Sequence, residues 1–187
     1  MASKEIEVRF LEIDKEQLLS TLRAIPTVVD HGEHVLDERI IYDDALTWRD
    51  GARKILRLRS RGERYTLAYK DRVAMAVDGV EEIEFGVTDI DAAEALLHKL
   101  GFTTYRHQQK KRHSFSLGDV IVDIDTWPHV PTYVELEGPS EARLREVAEQ
   151  LGLAWDTHEL RSPRTIIEDT YHIPVGNMRW FTFDRCE

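Results

Sequence analysis

Charged and apolar residues alternate one for one along segment after segment of this chain, and that alternation limits the folds open to it. In Glu5-Ile6-Glu7-Val8-Arg9-Phe10, two carboxylates and a guanidinium fall on one side and three apolar side chains on the other. The reason is that a strand sends successive side chains to opposite faces. Arg57 and Arg59 alternate with Leu56 and Leu58, and Lys70 is in phase with Thr66 and Ala68. Glu82 and Glu84 alternate with Ile83 and Phe85, and Lys110 shares a face with Arg112. Asp123 and Asp125 alternate with Val122 and Ile124, and Glu135 and Glu137 with Val134 and Leu136. On a single strand such a face is ordinarily a solvated one. In an open sheet or sandwich all of these faces would meet water. In a closed barrel covered by helices they would line the interior.

Strand patterns fall at about 4–13, 33–43, 53–61, 64–72, 79–87, 103–117, 119–127 and 131–138, with Gly62 and Gly118 marking hairpin turns. Helical patterns fall at about 14–24, 89–100, 140–151 and 163–171. Asp14 is a good N-cap with Gln17 at the capping-box position, Thr88 or Asp89 and Ser140 open the next two helices, and Ser162-Pro163 sets a cap before a proline at the first helical position. Gly101 reads as the glycine after a helix end. Eight strands with helices inserted at intervals and few βαβ spacings predict an antiparallel α+β fold with a closed or nearly closed barrel.

The chain has 187 residues, enough for one domain with a real core. Residues 1–175 are expected to form that domain and 176–187 a C-terminal tail. The net charge of −10 disfavours a nucleic-acid binder or a binder of anionic membranes. The single cysteine, Cys186, forbids an internal disulfide and suits a reducing cytoplasm. No apolar signal region opens the chain and no run approaches a membrane span.

So many charges cannot be buried dry, because even a paired buried ion costs several kcal/mol to desolvate. An internal charged lining must therefore be wet and hold charged guests. Clustered carboxylates with few histidines suit Mg²⁺ or Mn²⁺. Arginine pairs beside lysines suit phosphate oxygens. Together they are the equipment of phosphoryl transfer, and without a Walker A or dinucleotide glycine loop the side chains must do the cradling. A lipocalin-like carrier would need an apolar lining.

Glu5-x-Glu7-x-Arg9 resembles the Glu-x-Glu-x-Lys signature of the CYTH domain, the triphosphate tunnel metalloenzymes, which include class IV adenylate cyclases, thiamine triphosphatases and inorganic triphosphatases. The resemblance runs in order over most of the chain: Leu56 to Arg59 is similar to the paired-arginine strand and Thr66 to Lys70 to the Thr-x-Lys strand. Glu82-Ile83-Glu84, the helix ending Leu100-Gly101-Phe102, Lys110-x-Arg112, Asp125 and Glu135-Leu136-Glu137 follow. The resemblance implies an eight-stranded antiparallel tunnel open at both ends with helices outside. It implies that Glu5, Glu7, Glu135 and Glu137 bind Mg²⁺ or Mn²⁺, with Asp125 and one of Glu82 or Glu84 supporting the site. It implies that Arg9, Arg57, Arg59, Lys70, Lys110 and Arg112 grip a triphosphate such as ATP, thiamine triphosphate or tripolyphosphate, with Arg9 and Asp125 at the chemistry.

Two departures bear on the reaction. Arg9 stands where the signature has lysine, keeping the charge but unable to act as a base. Trp127 to Thr132 lacks the Gly-Leu-Gly that class IV cyclases often carry, and Pro128 and Pro131 stiffen it. Both favour a metal-dependent triphosphatase over a cyclase making cyclic AMP and pyrophosphate, with a non-catalytic polyphosphate or nucleotide binder as a third reading. Arg164 and Tyr171 compete for the family's C-terminal basic or tyrosine position. His107 and His113 read as surface or interface residues, and Asp123 and Glu84 as either site residues or ion-pair partners. Trp155 is expected to pack against the barrel or a partner chain. The Arg179–Phe183 tail could add a strand or a homodimer contact.

Overall fold

The alternation resolves in favour of a lined interior. In a computed structural model, which describes residues 3–51 and 53–187, the strands form one sheet whose apolar halves point outward beneath helices. In chain order the elements are β1 (Ser3–Glu5), β2 (Glu7–Phe10), α1 (Lys15–Ala24), β3 (Val28–Asp43), α2 (Thr47–Gly51), β4 (Lys54–Arg61) and β5 (Arg64–Arg72). Then come β6 (Val80–Val87), α3 (Ile90–Lys99), β7 (Phe102–Leu117), β8 (Val120–Thr126), β9 (Tyr133–Glu137), α4 (Glu141–Gln150), α5 (Pro163–Asp169) and β10 (Trp180–Phe181). The strand order is β1-β6-β5-β4-β3-β7-β8-β9-β2, antiparallel throughout, with β10 added parallel to β7.

The two ends of that path are the same piece of chain. The expected strand 4–13 divides at Ile6: β1 pairs with β6, and β2 pairs with β9. The ladder is open between β1 and β2, and the backbone itself spans the gap. Around the joint, Glu7 donates its amide to the Val77 carbonyl (3.0 Å), and Ile6 accepts from the Gly138 amide (3.1 Å). The strand also stops at Phe10 rather than residue 13, because Glu12 adopts a positive φ of 53° before the Asp14 cap.

β3 begins five residues earlier than the pattern suggests. Gly32, with φ of 78°, sits in a register break between Asp30 and Glu33. A bulge absorbs the glycine that reads as punctuation in the sequence. α2 was not expected; it is one short turn capped by the Asp43 carboxylate, which accepts from the Thr47 and Trp48 amides. The other caps form as expected at Asp14, Asp89, Ser140 and Ser162.

α1 and α4 cover the outer face of β2, β7, β8 and β9. Leu18, Leu22, Leu144 and Val147 meet Val8, Phe115, Val122, Val134 and Leu136 there. α3 covers β3 and β4 through Leu97 against Ile41, Leu56 and Leu58. Burying these apolar faces removes them from water, at roughly 25 cal/mol per Å². Trp155 joins the larger core, 6.3 Å from the Phe10 ring. His107 stacks on Trp180 at 4.4 Å where β10 meets β7, and His113 bonds to Asp30 at 2.7 Å. Among the described residues, no helix is long and apolar enough to cross a membrane.

Candidate active site

Because Leu56 and Leu58 are committed to the outside, Arg57 and Arg59 must point in, and the same logic holds on the other strands. They enclose a cavity of about 280 Å³. Glu5, Glu7, Arg9, Arg57, Arg59, Lys70, Glu82, Glu84, Lys110, Arg112, Glu135 and Glu137 all line it. Asp125 does not reach the surface of the cavity. It lies fully buried behind Lys110 and Arg112, bonded to Lys110 Nζ at 2.7 Å and Arg112 Nη2 at 2.6 Å. Asp123 lines a second hollow at one mouth and pairs with Arg112.

Acid and base are segregated. Glu5, Glu7, Glu135 and Glu137 come from the joint strands β1 and β2 and their neighbour β9, whereas Arg57, Arg59, Lys110 and Arg112 come from β4 and β7. Bridges cross between them. Lys70 reaches Glu5 at 2.6 Å, Arg112 reaches Glu135 at 3.1 Å, and Arg57 reaches Glu84 at 3.2 Å. Arg9 is held between Glu7 and Glu135, both at 2.6 Å, and donates to the Arg161 carbonyl at 3.2 Å.

The electrostatics are uneven. Burial opposes the charge on Glu135, yet Arg9 and Arg112 outweigh it and hold the carboxyl well below its usual range. Glu5 and Glu137 go the other way. Burial and the neighbouring Glu82 push Glu5 up to about 7, only partly offset by Lys70. Partial burial, with the residue still reaching solvent, and repulsion from Glu135, Glu5 and Glu7 push Glu137 up to about 7. On the basic wall, burial and then Arg57 lower Arg59, and burial and then Arg112 lower Lys110. Glu5 and Glu137 are thus crowded by like charge, as are Arg59 and Lys110, whereas Arg9 relieves Glu135 on the acidic side and Glu38 sits among the cations of the basic side.

The residues fit a hard divalent cation by donor type and charge. Glu5 Oε2 is buried and accepts no hydrogen bond, and Glu137 has no ion-pair partner among the described residues. Both belong to the acidic wall, where a cation would relieve the crowding. The carboxylates are engaged with Arg9 and Lys70, and among the described residues no group of three His, Cys, Asp or Glu side chains converges as a ready cage.

Several lining residues escaped the sequence reading. Glu38 accepts from Arg59 at 2.7 Å and from Gln108 at 2.6 Å, and its carboxyl is lowered because Arg59, Arg57 and Lys110 outweigh its burial. Arg106 and Gln108 continue the alternation backward from Lys110, and Arg72 continues it forward from Lys70. Trp127, Ser162, Arg164 and Ile167 close one end. Of the two C-terminal candidates, Arg164 lines the cavity, whereas Tyr171 packs against the Trp127 cluster.

A family model described as the CYTH domain matches residues 3–171. The chain belongs to the CYTH domain family. The CYTH fold is also what solved structures share with it. A candidate adenylate cyclase from Vibrio parahaemolyticus superposes with a TM-score of 0.76 at 18% identity, covering 90% of this chain and 99% of that one. A conserved protein from Pyrococcus furiosus gives 0.69 at 23% identity over 85% and 97%. An adenylyl cyclase candidate from Hippeastrum, described as having a dominant triphosphatase activity, gives 0.63 at 16% identity over 91% and 96%. No curated protein sequence matches the chain.

Proposed function

We propose that this CYTH protein hydrolyses an inorganic or organic triphosphate with the help of Mg²⁺ or Mn²⁺. The observation that carries the reading is the pair of opposed walls in one cavity: the open Oε2 of Glu5, whose other oxygen holds Lys70, and the carboxylate of Glu137 stand opposite a bank of arginines and lysines. The dominant triphosphatase activity described for the Hippeastrum relative is consistent with it.

In this reading Arg57, Arg59, Lys70, Lys110 and Arg112 grip the phosphate oxygens, arginine through paired N–H donors and lysine as a point charge. Glu5, Glu7, Glu135 and Glu137 hold the ion, with Glu82 and Glu84 beside them. A bound divalent ion supplies Lewis-acid polarisation of phosphoryl oxygens and charge neutralisation. Asp125 is a positioning residue that fixes Lys110 and Arg112. Arg9 keeps Glu7 and Glu135 apart and oriented. Water adds to the terminal phosphorus, the bridging P–O bond breaks, and orthophosphate and a diphosphate leave. Fixed cations around the developing charge lower the barrier because they need no reorganisation.

Cyclisation of ATP is the second reading. Ile40, Tyr42 and Ile55 give part of the cavity an apolar wall that could receive a nucleoside. A screen of tripolyphosphate, thiamine triphosphate and ATP with each metal separates the two. Orthophosphate release supports hydrolysis, and pyrophosphate with a cyclic nucleotide overturns it.

A further inference from the structure

The cavity has two ends of different character. At one, Ser162, Ile167 and Val175 line it, and the cations nearby are spent on the protein: Arg106 donates to the Val175 carbonyl at 2.9 Å and Arg164 to the Arg49 carbonyl at 2.7 Å. At the other, a second hollow of about 420 Å³ opens at the β4–β5 turn. Arg59, Glu84 and Arg112 line both hollows, so the two meet at those side chains.

The rim of that mouth carries Arg61 and Arg64. They stand directly opposite each other in the β4–β5 ladder, joined through Gly62, whose φ is 60°, and Glu63. Like charges directly opposite on paired strands repel and destabilise the pair. The arginines deeper in the tunnel each bond to a carboxylate or a carbonyl. Among the described residues, Arg61 and Arg64 form neither an ion pair nor a side-chain hydrogen bond. Of the carboxylates that line the mouth, Glu84 pairs with Arg57 and Asp123 with Arg112, although Asp123 Oδ1 keeps no hydrogen-bond partner, and Glu63 in the turn forms no ion pair with either arginine. Two facing cations without an anion are therefore left at the opening.

They also continue a file. Arg57, Arg59 and Arg61 are in phase on β4, about 6.7 Å apart per two-residue step, so the file runs for roughly 13 Å from inside the cavity to its rim. A triphosphate gripped by Arg57 and Arg59 has no use for its outer end. A longer linear anion does.

We propose that the β4–β5 mouth is a phosphate subsite that takes the fourth and later phosphates of a linear inorganic polyphosphate whose first three lie in the tunnel. The proposal rests on the triphosphate reading above. Binding of tripolyphosphate and of a linear polyphosphate of about ten units is measured by calorimetry on the full chain, for the wild type, Arg61→Ala/Arg64→Ala and Arg61→Lys/Arg64→Lys. The wild type is expected to bind the longer chain more tightly. The double alanine variant should lose about five- to tenfold for the longer chain and less than about twofold for tripolyphosphate, with the lysine pair restoring most of it. Equal losses for both ligands, or no advantage of the longer chain in the wild type, overturn the proposal while leaving the triphosphate reading intact. Absence of tripolyphosphate binding in the wild type overturns both.

Discussion

Arg9 and Arg72 end on adjacent carbonyls of one backbone strap: Arg9 Nη1 donates to Arg161 O at 3.2 Å, and Arg72 Nη1 to Leu160 O at 3.0 Å. That strap runs into the Ser162 cap of α5, which lines the end of the cavity. Burial, and then the charge of Arg9, lower Arg72, so the two cations tolerate each other only because carbonyls and Glu7 lie between them. The arginine in the signature position thus serves two masters, the acidic wall and the strap.

Arg9→Lys is expected to fold and to keep metal-dependent hydrolysis, since an ammonium can still sit between Glu7 and Glu135. It gives up the Arg161 contact, worth about 1 kcal/mol, which should lower Tm by about 2–4 °C. Arg9→Ala leaves two buried carboxylates without their shared cation and should cost about 3–5 kcal/mol in a denaturant titration. An unchanged Tm in both variants would mean that the strap is held by other contacts.

Metal binding should be visible without turnover. Mn²⁺ is expected to raise the Tm of the wild type, as any ligand of the native state does, and Glu5→Gln/Glu7→Gln should abolish that rise. A double variant that still gains the full shift would remove the acidic wall from consideration as the metal site.

The raised carboxyls predict an unusual pH response. Glu5 and Glu137 titrate near 7 in the folded chain and near 4.5 when unfolded. The folded state therefore holds more protons between those values, and these groups favour folding below about pH 4.5 and lose that contribution as pH rises through about 7. Without metal, Glu137→Gln should flatten the decline in stability between pH 5 and 8, measured as the difference from wild type. The difference curve also removes the opposite slope contributed by His107, which burial holds below its usual value. A difference that is flat across this range would show that Glu137 does not titrate there.

Arg59→Ala should weaken tripolyphosphate binding by about one to two orders of magnitude, and the loss should be smaller for pyrophosphate and smallest for orthophosphate. The same loss for all three would assign Arg59 to holding Glu38 rather than to the ligand.

The lining was legible where alternation is local. Leu56 and Leu58 against Arg57 and Arg59 fix which side faces in once a single strand is assigned. The same phase carries Glu82, Lys110, Glu135 and Glu137. Glu38 was missed because the inner face of β3 holds Ile40 and Tyr42 beside it and shows no charged repeat. Arg72, Arg106 and Gln108 were in phase with named residues and needed only the alternation carried further. The break at Ile6 and the parallel pairing of β10 were not legible, because both depend on partners far away in the chain, Val80 and Glu137 in one case and His107 in the other. Ser162 and Pro163 marked a helix start correctly, but nothing local says that the helix lines the end of a cavity.

The joint at Ile6 ties chemistry to topology. Glu5 hangs on the ladder of β6 and Glu7 on that of β9, so two neighbouring carboxylates are anchored to opposite margins of the curled sheet. Fraying of the four-residue β2 ladder from β9 would let Glu7 swing away from Glu5 while leaving every other strand pairing in place. Loss of activity should therefore run ahead of loss of circular dichroism in mild denaturant, and the amides of Val8 and Phe10 should exchange with solvent earlier than those of β7. The barrel would fail first as a clasp and only later as a fold.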